Sequence, residues 1–214
     1  EITCRDWSSD VCSSDLPVSG HTNPTVLKQG RSGLRAGIRP AIRSCHEGSK
    51  LEESLYIKEL NNRIYIRARG HITANVCPDL KARVFDRLDA KPAVDDVILD
   101  LTRCDYMDST FMGLIVGFNK RFTRFSDHPI RLFGVNETCN KLLKTIGVAR
   151  LVSIEDVAVQ FPEPMERLGG EHGVEARMVL GAHEDLMELS EENEKRFSAL
   201  RSALKSSIES EKDI

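Results

Sequence analysis

The sequence predicts a small α/β domain on a mainly parallel or mixed central sheet, followed by a C-terminal helix. Three observations carry this. Strand-like and helix-like segments alternate between residues 54 and 161 in the order ββαβαβαβα, and repeated strand–helix units form parallel sheets with right-handed crossovers. One segment, Val97-Ile98-Leu99 with Leu101, is apolar without alternation, as a strand covered on both faces must be. Directly after it the apolar period changes. Phe111, Leu114, Ile115 and Phe118 fall at i, i+3, i+4 and i+7, which is one face of a helix.

The first strand is Leu55–Leu60, and Asn61-Asn62 is a turn signal. Ile64, Ile66 and Ala68 then alternate with Arg63, Tyr65, Arg67 and Arg69, a half-exposed strand that completes a hairpin. Gly70 marks a bulge or tight exit, and His71 beyond it reads as a turn histidine. Thr73 or Asn75 caps the next helix. That helix tolerates Pro78 in its first turn and packs Leu80, Val84, Phe85 and Leu88 on the sheet. Lys91-Pro92 ends this unit and leads to the central strand at Val97–Leu101.

After the helix that carries Phe111 to Phe118, Ser126–Pro129 is a turn and Ile130, Leu132 and Phe133 form a strand ended by Gly134. Asn136 caps a helix carrying Cys139, Leu142, Leu143 and Ile146, with Gly147 as its C′ residue. Leu151–Ile154 is a last short strand, and a short helix from Glu155 to Gln160 closes the domain. Residues 162–183, punctuated by Pro and Gly, read as a linker. Residues 184–209 read as an amphipathic helix with a stripe of Leu186, Leu189, Phe197, Leu200, Leu204 and Ile208, interrupted by Asn193. Docking on its own domain, self-association and capture of a partner all fit that stripe.

Composition removes several function classes. The chain has 214 residues with a net charge of −3, so it carries no basic surplus that points to nucleic acid. No apolar run approaches the ~20 residues of a membrane span. Six Cys are scattered without C-x-x-C or His/Cys ligand spacing, which fits reduced thiols in a cytoplasmic protein and indicates neither disulfides nor zinc. Cys77 and Cys104 read as small buried apolar residues. There is no Gly-rich phosphate loop and no Ser/His/Asp set in the sequence. A binding module is therefore expected rather than an enzyme, with no cofactor of its own.

The N-terminal stretch stands apart. Asp6–Leu16, DWSSDVCSSDL, is the in-frame translation of a common sequencing-library adapter, so residues 1–16 are read as an artefact and left out of the fold. Residues 17–53 are rich in Gly, Pro, Ser and Arg with no sustained period, a disordered arm or untranslated upstream sequence. Arg31, Arg35, Arg39 and Arg43 within it read as solvated or spurious.

Asp108-Ser109-Thr110 sits where the central strand hands over to the motif helix, the sheet edge at which function collects in open α/β folds. Two roles fit these residues. They are good N-caps, since each side chain accepts from free helical N–H groups. Alternatively, a hydroxyl held at a helix start serves phosphoryl transfer. The motif Tyr106-Met107-Asp108-Ser109-Thr110, with Asp100-Leu101 before it and Gly113-Leu114 after it, resembles the signature of STAS domains, the family of the anti-sigma factor antagonists. The resemblance covers about residues 54 to 160. Where many members have Gly-Leu-Gly, this chain has Phe111-Met112-Gly113, so the surface offered to a partner is bulkier.

The resemblance implies a small α/β STAS fold over 54–161 and a phosphoacceptor at Ser109. It also implies partners: an anti-sigma factor that is a serine kinase, and a phosphatase that removes the phosphate. The unphosphorylated form binds the anti-sigma factor, and phosphate on Ser109 releases it. Asp108, Thr110, Phe111, Met112 and Gly113 are then the expected docking patch, although Phe111 fits a core position equally well. The alternative is a STAS module in a transport or signalling assembly, with Ser109 no more than a cap.

Overall fold

Asn61 and Asn62 both take positive φ, 51° and 57°, the tight-turn geometry that polar short side chains tolerate. They fold β1 (Ser54–Leu60) antiparallel onto β2 (Arg63–Ile72). The structure is a computed structural model and describes residues 53–156, 159–169 and 172–210. The expectations for residues 1–52 lie outside it.

Beyond β2 a single 3-10 turn, capped by Thr73 through Asn75 N–H, leads into α1 (Cys77–Asp89) with Pro78 in its first turn. β3 (Asp96–Met107) follows, then α2 (Ser109–Phe122), β4 (Arg131–Phe133), α3 (Glu137–Ile146) and β5 (Ser153–Glu155). The fold is mixed α/β: β6 (Glu166–Leu168) completes a six-stranded sheet in the order β5-β4-β3-β2-β1-β6. β2, β3, β4 and β5 are mutually parallel, while β1 is antiparallel to both β2 and β6. Asn136 accepts from Cys139 N–H at 2.8 Å at the start of α3, and Gly147 ends it at φ 90°, a left-handed C′ residue that glycine fills without a Cβ penalty.

Strand alternation divides the core. Ile64, Ile66 and Ala68 of β2 and Val97, Leu99 and Leu101 of β3 face the helices and join Leu80, Val84, Phe111, Ile115 and Leu143 in the main apolar cluster. Burying each large side chain contributes about 1.5–3 kcal/mol before entropy is set against it. On the opposite face Tyr65, Ile98, Phe133 and Phe161 form a second cluster. Tyr65 was expected on a half-exposed face. It is buried because Phe161 packs edge-on against it at 5.5 Å. Arg67 holds the same approach, with its guanidinium 5.2 Å above Phe161 and bonded to Asp100 at 3.0 Å and Glu163 at 2.6 Å.

Several expectations need correction. β3 does not stop at Leu101. It runs on to Met107 because residues 103–107 stay paired with Arg69–Ile72 of β2, across register shifts on either side of Gly70. The described residues of 155–160 are not helical: Glu155 ends β5, and Asp156, Val159 and Gln160 are irregular. The expected linker 162–183 instead carries β6, formed by pairing with Leu55–Ile57, and the first half of a helix. The expected single helix 184–209 is two, α4 (Ala176–Met187) and α5 (Glu191–Ser210). Asn193 does not interrupt a stripe. It is 1 % exposed and donates Nδ2 to Ile146 O at 2.8 Å and Leu186 O at 2.9 Å, tying α5 to α3 and α4.

Candidate functional site

β2 and β3 end side by side at Ile72 and Met107. The next residue, Asp108, donates its N–H to Ile72 O at 3.0 Å and takes an extended backbone (φ −84°, ψ 174°). This is the N-cap geometry. Its Oδ1 accepts from Phe111 N–H at 2.8 Å, and its Oδ2 from Ala74 N–H at 2.7 Å. One carboxylate thus caps α2 and fastens the turn after β2. Burial pushes the Asp108 carboxyl above its ordinary value, against the opposing pull of the N–H groups of Phe111, Ala74 and Thr110.

Capping therefore falls to Asp108, and Ser109 is free of it. Ser109 is half-buried in the first turn of α2, with Oγ 2.8 Å from Nε2 of His183 on α4. The Nδ1 of His183 lies 2.8 Å from Val179 O. A carbonyl can only accept, so Nδ1 carries the ring proton and Nε2 accepts from the Ser109 hydroxyl. Burial pushes the His183 imidazole below its ordinary value of 6.5, which keeps it neutral at pH 7 and fixes that polarity. The ring is 2 % exposed and meets Phe197 of α5 edge-on at 5.0 Å.

The expected docking patch is not a surface in this structure. Thr110, Phe111 and Met112 are 4 %, 0 % and 2 % exposed, and Gly113 is buried with them. The physical reason is that from Phe111 to Phe118 α2 is apolar on all sides, and such a stretch of helix is covered on all sides. The sheet lies against one flank and α4 against another. Gly113 permits the contact, since a Cβ there would stand 2.1 Å from Ala182 O. At the far end of α2, Lys120 Nζ bonds Asp185 Oδ1 at 2.7 Å and Glu188 Oε2 at 2.6 Å. The sequence reading missed His183, Ala182, Asp185 and Glu188. The available signal was Gly113 and Gly117, four residues apart on α2, a spacing that puts two small residues on one helix face.

Other features lie elsewhere. A groove of about 450 Å³ between β1, α1 and β6 includes Arg83 and Arg87, which are paired with Glu166 and Glu59, and none of its lining residues belongs to the 108–113 segment. Among the described residues no group of three His, Cys, Asp or Glu is placed to hold a metal ion, and no helix is long and apolar enough to cross a membrane.

The STAS domain family matches residues 55–159 of the chain. The anti-sigma-B factor antagonists of Listeria monocytogenes and Listeria innocua are each 31 % identical to it over 107 residues, 49 % of this chain and 90 % of theirs. Similar solved structures include the anti-sigma factor antagonist SpoIIAA in its unphosphorylated form, at 17 % identity over 48 % of this chain and 88 % of that one, with a TM-score of 0.43. A putative anti-sigma factor antagonist from Thermotoga maritima matches at 22 % identity over 47 % and 85 %, with a TM-score of 0.41.

Proposed function

The chain belongs to the STAS domain family, and from that membership we propose that it is an anti-sigma factor antagonist switched at Ser109. Unphosphorylated, it binds an anti-sigma factor that is also a serine kinase. That binding frees a sigma factor. The kinase then transfers the γ-phosphoryl of ATP to Ser109, the complex parts, and a separate phosphatase resets the switch. ATP and Mg²⁺ belong to the kinase, and the cycle runs in the cytoplasm. The antagonist itself performs no catalysis.

The observation that carries this reading is the division of labour at the start of α2. Asp108 does the capping, and the Ser109 hydroxyl takes no part in it. A phosphate there meets the positive end of α2, so the fold tolerates it. It also adds roughly −1.5 to −2 charges beside Asp108, which opposes a docked partner. A second reading, a STAS module that does not switch, draws on the burial of Thr110–Gly113 and the engagement of Ser109 by His183.

Intact-mass analysis of the full chain incubated with the kinase and ATP separates the two. A gain of one phosphate, about 80 Da, that is lost in Ser109→Ala supports the switch. An unchanged mass in the wild-type chain favours the non-switching module.

A further inference from the structure

Ser109 and the helix behind it are covered by a part of the chain outside the family's own residues. The family match ends at residue 159, and α4 begins at Ala176. Three separate contacts hold α4 along α2. At the first turn the Ser109 hydroxyl donates to His183 Nε2 at 2.8 Å. One turn on, the missing side chain of Gly113 lets Ala182 of α4 sit against the α2 backbone. At the other end Lys120 is gripped by Asp185 and Glu188. α5 backs the arrangement, with Phe197 against the His183 ring, Lys205 Nζ 3.2 Å from Glu184, and the buried Asn193 bonded to Leu186 O.

We propose that α4, braced by α5, is a built-in competitor for the α2 face: latched by His183 on Ser109, it closes the phosphoacceptor and docking surface, and it must swing away before a kinase or partner engages them. This rests on Ser109 being the phosphoacceptor. The chemistry of transfer makes the conflict concrete. Ser109 Oγ must attack the γ-phosphorus of ATP while the bond to the β–γ bridging oxygen breaks, with ADP leaving and the Oγ proton passing to the kinase's base. In the closed state that proton is directed at a buried imidazole, and α4 occupies the flank from which another protein would come. Binding is then weakened in proportion to the fraction of molecules that are open.

The cover predicts slow chemistry at position 109. In the full-length Ser109→Cys variant, alkylation of the introduced thiol by iodoacetamide is read peptide by peptide, apart from the other thiols. Two backgrounds open the latch by different means. Ala182→Phe wedges α4 off Gly113. The pair Asp185→Lys and Glu188→Lys sets like charges against Lys120 at the rim, and Lys120→Glu added to that pair restores attraction.

The expected result is alkylation at least about tenfold slower in the native background than in either opened one, the mark of a surface open less than about a tenth of the time. Slow alkylation returns with Lys120→Glu, and amide exchange in β2 and β3 is unchanged throughout. Equal rates in all backgrounds overturn the proposal. A second arm keeps Ser109 and adds the kinase and ATP, where opened variants gain phosphate faster than wild type; equal phosphorylation rates also overturn it. Were no variant to take phosphate while the alkylation rates differed, the cover would stand and the phosphoacceptor reading alone would fall.

Discussion

Asp108 and Ser109 are adjacent, chemically similar in the sequence, and given different work by the fold. Both are good caps on residue type, so their separation was not legible locally: it depends on Ala74 N–H arriving at Asp108 from the turn after β2 and on His183 arriving at Ser109 from α4. Replacing Asp108 with Ala removes the cap and leaves the N–H groups of Phe111 and Ala74 without that partner. The expected cost is about 2 kcal/mol, read as a lower urea midpoint at constant slope, whereas Ser109→Ala moves it by no more than about 1 kcal/mol.

His183 adds a pH dependence at the same scale. Closed, its pKa is held below the ordinary 6.5 by burial; open and solvated, it returns to that ordinary value. The open state therefore binds more protons just below that value. The hold of α4 is full above about pH 6.5 and weakens as pH falls toward the lowered closed-state pKa. Protection of the α4 amides, corrected for intrinsic exchange, is expected to drop between about pH 7.5 and about 5.5, and the drop is absent in His183→Gln. Equal protection at both pH values in the wild-type chain would contradict this.

At the scale of elements, what was legible is what local physics decides. The hairpin turn at Asn61-Asn62, the capping of α3 by Asn136 and its left-handed end at Gly147 need only near neighbours, and the apolar spacing of α2 needs only itself. What was missed is decided at a distance. β6 is three residues long and exists through its register with Leu55–Ile57, so no window of sequence marks it. The polar run 102–106 continues β3 because β2 is there to pair with it.

Asn193 read as a flaw in an apolar stripe, yet it is the joint between α3, α4 and α5. Replacing it with Ala strips two buried carbonyls of a donor and is expected to cost about 2 kcal/mol. The loss should appear first as faster exchange in α4 and α5. A substitution without effect on either measure would remove the joint from the account.

At the scale of the whole molecule, the chain is a STAS domain with a helical pair added after it, and the pair lies where the sequence placed a docking patch. Residues 108–113 were located at the end of the central strand, but the sequence does not say that His183 and Ala182 lie against Ser109 and Gly113, because α4 makes those contacts from some 70 residues away in the chain. The parallel strands β2 and β3 end at the start of α2, where Ser109 stands, and α4 of the added pair packs along α2.

The central claim is that phosphate on Ser109 breaks a complex. Its most direct test is the mass of the species eluting when the full chain is mixed with its anti-sigma kinase, with and without ATP, by size exclusion with light scattering. The account predicts a complex without ATP that separates into its components with ATP, and a Ser109→Ala chain that stays bound in both. A wild-type complex indifferent to ATP, or a Ser109→Ala complex that also separates, would contradict it.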